Sequence, residues 1–503
     1  MTHNIQLIPE KYGLSESQGL SFLVWAIGAY VVLVPSLSVL PPVGPFNEKR
    51  ALQVGILLVT GGVLLVSTRC RRRWLSAFRR LPLSAQWGLG FVLSLGLISA
   101  VLAPAPFYAL LEVGHDLLLF ILAGTVATVV RRVPRRSVQI LLGFVAVSGL
   151  LYVVYFLVGY VKYLTVSGVN LWPDGRTNFA NTRIFNQYQT LTLPLLAGSV
   201  FALPKRLRPA KWPLFGVVVL WWALIFASNV RGTILAMVVA TLGVGFLFRS
   251  KATEWILVQQ LGFLLGLGLF SLLFLTGSAP PVVDKVSDAS TYSKRLQHWK
   301  RCLEMAWMHP LLGAGPMHFA WPPYHYAIAA SPHNTFMQWL AERGVPATIT
   351  MSGLVLWGIW SWIRQERTNF KEDSIVSGGV SVSLVAAVIA GTTHSMVSGL
   401  TLAPLSQMLF VLVGGWAWGR YQFQEKEDPS TGSSFWAHMI LCALLASSVL
   451  VVGNSFRDLA SATERRVAFM NSVDRNKLSP RYWTQGYIGV RDSSVIKRAR
   501  RDR

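Results

Sequence analysis

Acidic residues are scarce in this sequence. Only 22 Asp and Glu stand against 46 Lys and Arg in 503 residues, and charged residues of both signs make up 14% of the chain. A soluble domain carries roughly 25% charged residues, so a soluble globular chain is excluded. Cysteine is nearly absent: Cys70, Cys302 and Cys442 are the three, with no CxxC spacing. That excludes a disulfide framework and a thiolate metal site. HExxH and short His-x-His patterns are missing, which argues against zinc, and no internal repeat is visible. No cleavable signal peptide is expected either, because the first apolar run is long enough to remain as a helix.

What is there is hydrophobic, at 52% of residues. Apolar runs of about 20 residues, the length that spans a bilayer, recur along the chain. About thirteen are expected: 20–40, 51–68, 85–103, 108–130, 138–161, 184–203, 212–228, 232–248, 255–276, 345–363, 375–393, 401–419 and 435–453. The net charge of +24 could suggest nucleic acid. Its placement points elsewhere, because the strongly basic clusters 69–80, 131–136, 205–211, 249–251 and 364–367 each follow an even-numbered run. Short basic loops stay in the cytoplasm, so those loops and the N-terminus are expected there, and no nucleic-acid partner is expected. The chain divides into an N-terminal bundle (1–276), an outer loop (277–344), C-terminal helices (345–453) and a basic tail (454–503), expected on the outer face. The stretch 455–469 is partly amphipathic, a pattern that suits the membrane surface.

The outer face gathers arginines. Arg183 opens the sixth run, Arg231 sits between the seventh and eighth with almost no loop around it, and Arg295 lies in the long outer loop. An arginine near the end of a span can simply snorkel to the interface. Three on one face, beside His333, suit a phosphate anion, which guanidinium forks hold bidentately. Carboxylates are few there: Asp174, Asp284, Asp288 and Glu304, with no DxD pair. Magnesium wants carboxylate oxygens, so no metal and no other cofactor is expected. His298, His309, His318 and His325 in the long loop read as loop residues, some packed on Trp299, Trp307 and Trp321. Glu112, His115 and Asp116 share one helical face and read equally as an internal polar network or as a substrate contact. His394 is placed where it could line an acceptor path.

Four segments, RIFNQYQTLTLPLL (183–196), SNVRGTILA (228–236), RLQHWKRCLEMAWMHPLLGAGPMHFA (295–320) and HNTFMQWLAERGVPA (333–347), occur in an order that resembles the bacterial O-antigen ligase and polymerase superfamily of membrane glycosyltransferases. The ligase pattern is His, then Asn, Ser or Gln, nine residues, Gly, two residues, and Gly, Thr or Tyr. Here His333-Asn334 and Gly344 fit, while the last position holds Ala347, with Thr348 one place late. The resemblance implies an all-α polytopic fold of the GT-C type, with about 12–13 transmembrane helices and a large helical periplasmic loop, in a bacterial inner membrane. It implies a donor glycan on undecaprenyl diphosphate and inverting transfer to an acceptor hydroxyl, that of lipid A core being favoured. On the family's motifs, the essential histidine falls on His333 and the two essential arginines on Arg231 and Arg295. Arg183, Asn186 and Gln187 match a further segment as diphosphate or cavity residues.

In that reading the arginines meet the leaving diphosphate and His333 orients or deprotonates the acceptor hydroxyl. Nearby cations lower an imidazole's pKa, which keeps His333 neutral. Asn334 serves either as a substrate contact or as the N-cap of the following helix. Rival readings are a polymerase of lipid-linked glycan, a protein (pilin) O-oligosaccharyltransferase, and a transporter. Transporters favour repeated halves and charge at mid-membrane, and here the charges lie at one end.

Overall fold

The computed structural model describes residues 18–167, 171, 178–203, 205–275, 290–321, 330–372, 378–421, 435–460, 480–484, 486 and 488. Asp174, Asp284, Asp288 and His325 lie outside them, as do 276–289, 322–329 and 461–479. The described chain is helical, with no strand among the described residues.

The order is α1 (Gln18–Leu33), α2 (Pro45–Val66), α3 (Thr68–Arg79), α4 (Leu83–Leu102), α5 (Pro106–Arg132) and α6 (Pro134–Thr165). There follow α7 (Thr182–Ala202), α8 (Lys211–Ser228), α9 (Arg231–Phe248), α10 (Thr253–Phe270) and α11 (Ser290–Met308). The last five are α12 (Thr335–Glu372), α13 (Gly378–Ser395), α14 (Pro404–Tyr421), α15 (Phe435–Asn454) and α16 (Phe456–Ala460). Every apolar run expected from the sequence overlaps one of these helices.

Among the described residues, seven stretches are long and apolar enough to cross a membrane, and one of them, Arg231–Leu275, is continuous through α9 and α10. Leu20–Leu33 and Gly379–Ser395 are apolar but shorter. Leu242 (68%), Phe246 (82%), Leu264 (62%) and Leu450 (73%) point outward from their helices. So much exposed hydrocarbon on a helix face costs free energy in water and none in lipid. The protein is an all-α, multi-pass membrane protein.

One basic cluster differs from a simple loop. RCRRRWLSAFRR forms the amphipathic helix α3, capped by Ser67, whose side chain accepts from Cys70 N. Trp74 turns inward, donates Nε1 to Ile121 O at 2.9 Å and stacks on Phe78 at 5.6 Å. Cys70 is therefore buried.

Small residues set the closest helix pairs. Gly415 and Gly419, one turn apart on α14, face α5 backbone: a Cβ on either would lie 2.6 Å from the carbonyl oxygen of Ala123 or Ala127. Gly266 of α10 does the same against α8, where a Cβ would lie 2.9 Å from Val219 O, while one on Gly262 would meet the side chains of Val218 and Trp222. Without a hydrophobic force between helices in lipid, such close backbone approach is what association rests on. Gly419→Ala is expected to destabilise the detergent-solubilised protein by about 1–3 kcal/mol, the range of overpacked cores. Gly414→Ala, where a Cβ meets nothing within 4 Å, is expected to leave the thermal midpoint unchanged or slightly raised, as read by differential scanning fluorimetry of both variants.

Candidate functional site

Six elements meet at one end of the bundle, opposite the basic clusters. The strand-like turn before α12 carries His333, whose φ of 56° is left-handed. Asn334 follows as the cap of α12: its Oδ1 accepts from Met337 N at 3.0 Å and its carbonyl from Gln338 N at 3.0 Å. The N-cap alternative for Asn334 is thus the one its geometry satisfies. Glycine would enter a left-handed turn more easily, but it would carry no side chain, and this turn presents an imidazole.

The charge environment of His333 is cationic. Burial is the first cause that holds its pKa down, to about 3, and Arg183, Arg295 and His298 follow. His298, read from the sequence as a loop residue, comes from α11 to stand beside His333. It is buried, packs edge-on to Phe319 at 6.2 Å, and has its own pKa lowered by burial. The neighbouring Trp299 donates Nε1 to Pro332 O at 3.1 Å, which ties α11 to the turn that presents His333.

His394, at the end of α13, joins the group from the other side. Arg295 acts electrostatically on it as well as on His333. A Cβ on Gly232, the residue after Arg231, would lie 2.8 Å from His394 Nε2, so the start of α9 abuts the imidazole edge. His394 Nδ1 is 2.7 Å from Thr190 Oγ1. Thr190 donates its single hydroxyl proton to Asn186 O at 2.9 Å, so its oxygen accepts and Nδ1 is assigned the donor. Nε2 then keeps its lone pair, directed toward Gly232.

The amides on α7 can be oriented in the same way. Gln189 Nε2 donates to Trp221 O at 3.0 Å, so Gln189 Oε1 accepts from Asn186 Nδ2 at 2.7 Å. Asn186 Oδ1 is left buried without a partner among the described residues. Gln187 donates Nε2 to Ser398 Oγ at 2.7 Å, and its Oε1 is likewise buried and unpartnered. Ser398 precedes Gly399, where a Cβ would lie 3.9 Å from His333 Nδ1. Buried acceptors without donors cost about 1–3 kcal/mol each, so these two oxygens suit a hydroxyl or N–H group, or water, arriving from outside the chain.

His115 is placed differently. It is buried with Arg50 NH1 at 3.1 Å and Gln407 Oε1 at 3.2 Å on Nε2, and Tyr482 Oη at 3.4 Å from Nδ1. None of these contacts reaches Arg183, Arg231, Arg295 or His333. Its helical neighbours Glu112 and Asp116 belong to a second network, in which Asp116 pairs with Arg343 and Glu112 accepts from Arg481 at 2.8 and 3.0 Å. Of the two sequence readings of this face, the internal polar network is the one with contacts. His318 is also structural: its Nε2 accepts from Ala105 N at 3.1 Å and its Nδ1 donates to Pro316 O at 2.9 Å.

Arg50, Gln53, Gln407, Glu342 and Arg481 were not singled out from the sequence. Arg50 is fully buried at the start of α2 and donates to Gln53, Gln407, Leu402 O and Tyr482 O. A signal existed in FNEKRALQ, where three adjacent ionisable residues open an apolar run. The tail offers none: Arg481–Trp483 is buried without regular secondary structure.

Residues 216–352 match the model of a family described as O-antigen ligase. That span holds Arg231, Arg295, His298, His333 and Asn334, while Arg183, Asn186, Gln187, His115, His394 and the tail fall outside it. No curated protein matches the chain. Asn334→Ala is expected to cost about 1 kcal/mol, the usual value of a lost N-cap, and to speed hydrogen exchange over 335–343, whereas Asn334→Ser should leave both close to wild type. Equal exchange in the two variants would remove the capping role.

Proposed function

From a chain that belongs to the O-antigen ligase superfamily through residues 216–352, we propose a membrane glycosyltransferase that moves a glycan from undecaprenyl diphosphate to the hydroxyl of an acceptor, lipid A core being the favoured one. The observation that carries this reading is the meeting of Arg295 with both His333 and His394, with Arg183 also acting on His333 and Arg231 next to His394 through Gly232. Among the described residues, the charged groups acting on His333 are arginines and an imidazole, an environment that suits a diphosphate better than a divalent cation.

The acceptor hydroxyl oxygen attacks the anomeric carbon from the face opposite the leaving group. The anomeric carbon–oxygen bond to the diphosphate breaks, and the configuration inverts. Negative charge builds on the departing diphosphate, where Arg231 and Arg295 stand ready; fixed donors of this kind contribute about 3 kcal/mol each. Arginine supplies the positive charge that a metal ion would otherwise bring. Asn186 Oδ1 and Gln187 Oε1 accept from hydroxyl or N–H groups of the sugar. His333 takes a hydrogen bond from the attacking hydroxyl and receives its proton.

An imidazole held near pKa 3 is a weak proton acceptor. Donor binding corrects this. A diphosphate beside Arg183 and Arg295 offsets the cations that depress His333, and an adjacent anion favours the protonated form, so the pKa rises in the complex. The base is strengthened by the substrate whose chemistry it serves, and in the empty site it stays neutral. The face is assigned to the periplasm, because the short basic loops at the opposite end suit the cytoplasm.

The decisive experiment incubates the purified protein with undecaprenyl-diphosphate glycan and, separately, lipid A core, a second lipid-linked glycan, and pilin. Product on lipid A core supports the ligase reading; product only on the second glycan or on pilin replaces it with a polymerase or a protein transferase. Transfer to none of them, with accumulation of glycan across vesicles, would favour transport. His333→Ala is expected to lower the rate by roughly 10²–10⁴-fold, the range of a lost general base, with the protein still in the membrane. Full retained activity would refute its role, and loss of transfer on chelation with recovery on magnesium would refute the metal-free mechanism.

The pH dependence gives a second check. The pKa of His333 is depressed, so the free enzyme stays neutral there until pH falls toward about 3, and kcat/KM should show no acid limb near the ordinary histidine value of about 6.5. With donor bound the pKa is raised, so kcat should show its acid limb at higher pH than kcat/KM does. In Arg295→Gln a depressing cation is gone, and the acid limb of kcat/KM should move upward. Coincident limbs in all three measurements would sink the substrate-assisted base.

A further inference from the structure

Helix α12 is two pieces. Gly344, with φ 77° and ψ 174°, interrupts it, so Thr335–Arg343 is a short rod bounded by left-handed residues at both ends, His333 and Gly344. The site histidine therefore sits on the end of a lever with a joint at each side. A rod of nine residues held only by two flexible backbone joints would let His333 wander by ångströms, and about 1 Å of misplacement can cost roughly 10²-fold in rate. Something must fix the rod along its length.

The far end is fixed by backbone. Ala314 N donates to Ala341 O at 2.9 Å and Gly315 N to Glu342 O at 3.1 Å, so the LLGAGP turn caps the rod's last carbonyls. The near end has one side-chain tie, Thr335 Oγ1 to Thr401 Oγ1 at 3.0 Å. Between them, the rod faces α5 with Glu342, which is fully buried and stands against Glu112. Two carboxylates facing each other away from water repel. What lies between them is the guanidinium of Arg481, which donates to Glu342 Oε2 at 2.7 Å and to both oxygens of Glu112 at 2.8 and 3.0 Å. Glu342 uses its remaining capacity on Gln338 Nε2 at 3.1 Å and Phe319 N at 2.9 Å.

Arg481 is itself held in place. The carbonyl of Tyr482 accepts from Arg50 Nε at 3.1 Å, Thr484 N and Oγ1 donate to Asn47 Oδ1 at 2.8 and 2.7 Å, and Ile488 N donates to Ala320 O at 3.1 Å. The C-terminal segment thus runs as a strap across α2, α5, the rod and the loop after α11. We propose that Arg481 is a positioning residue for the transfer reaction: from the C-terminal segment it clamps the Thr335–Arg343 rod to α5 and so sets where His333 stands. This inference rests on the reading of His333 given above and adds to it a part of the chain that lies outside residues 216–352.

Cys302 is a native reporter of the rod. It is fully buried in a small cluster with Met305, Ala314, Phe319 and Ala341 of the rod, and burial raises its thiol pKa. In Arg481→Gln, kcat is expected to fall about tenfold or more with donor KM within about twofold of wild type, and full-length protein in detergent should label faster at Cys302 with a maleimide, as mapped by mass spectrometry. Arg481→Lys keeps one charge that can sit near both carboxylates but not the planar guanidinium that reaches them through NH2, so its kcat should fall only about threefold. A wild-type kcat in Arg481→Gln overturns the proposal, and so does a loss that Arg481→Lys does not recover or that appears in KM in proportion. If Arg481→Gln does not reach the membrane, Arg481→Lys decides alone: an unchanged kcat overturns the proposal, and a threefold loss with unchanged KM supports it. His333→Ala measured in the same assay separates the two readings. If it abolishes transfer while Arg481→Gln does not, only the strap falls; if His333→Ala retains full activity, the underlying reading falls.

Discussion

A guanidinium taken out of water has to be met by oxygen, and this constraint organises the end of the bundle where the site lies. Arg50 and Arg481 are 1% and 2% exposed. Arg50 donates to Gln53 on its own helix and to Gln407, Leu402 O and Tyr482 O from distant parts of the chain, and Arg481 donates through NH2 to Glu112 and Glu342, its NH1 being buried without a hydrogen-bond partner among the described residues. Removing one partner of such a set leaves a buried charge uncompensated, at a cost of about 3–5 kcal/mol. The helices that supply the oxygens, α2, α5, α12 and α14, cannot drift without breaking it. Near this set stand Arg183 and Arg295, whose charge acts on His333.

The joints of that frame are made where the backbone must come closest. Gly344 and Gly313 both have positive φ, and a Cβ on Gly344 would lie 2.8 Å from Gly313 N. The two glycines let the LLGAGP turn reach the carbonyls of the rod directly, backbone to backbone. His333 is the exception among these left-handed positions, since it bears a large side chain there. Strain of about 1–3 kcal/mol at a non-glycine residue persists only where its surroundings determine it. Those surroundings are the Asn334 cap on one side and the Trp299–Pro332 hydrogen bond on the other.

Much of this was legible in the sequence, for reasons that are local. Runs of apolar residues of span length became helices because nothing else satisfies the backbone in lipid. Arg183, Arg231, Arg295, His333 and His394 read as sharing one end because the basic clusters set the expected alternation of the spans. Asn334 was legible as a cap because capping needs only residues three apart. The Glu112–His115–Asp116 face was legible as polar, but its partners were not, since Arg481 lies 369 residues from Glu112. The strap has no helical or strand periodicity to announce it, and the sequence reads the tail as a basic outer segment whose stretch 455–469 suits the membrane surface. His298 was passed over for a similar reason: its neighbour in space, His333, is separated from it by a loop whose path the sequence does not reveal.

The low pKa of His333 also explains why the two charge sets must be kept apart. If Glu112 or Glu342 faced His333, the carboxylate would stabilise imidazolium, and the site would hold a protonated histidine unable to accept from a hydroxyl. Among the described residues, Asp116 pairs with Arg343, Glu112 and Glu342 pair with Arg481, and the charged groups that act on His333 are Arg183, Arg295 and His298. Neutrality in the empty site then follows from burial and from Arg183 and Arg295 together. An anion that binds those arginines relieves the second cause but not the first. In the proposed mechanism an anion on those arginines raises the affinity of the imidazole for a proton, which would couple proton acceptance to the presence of a leaving group.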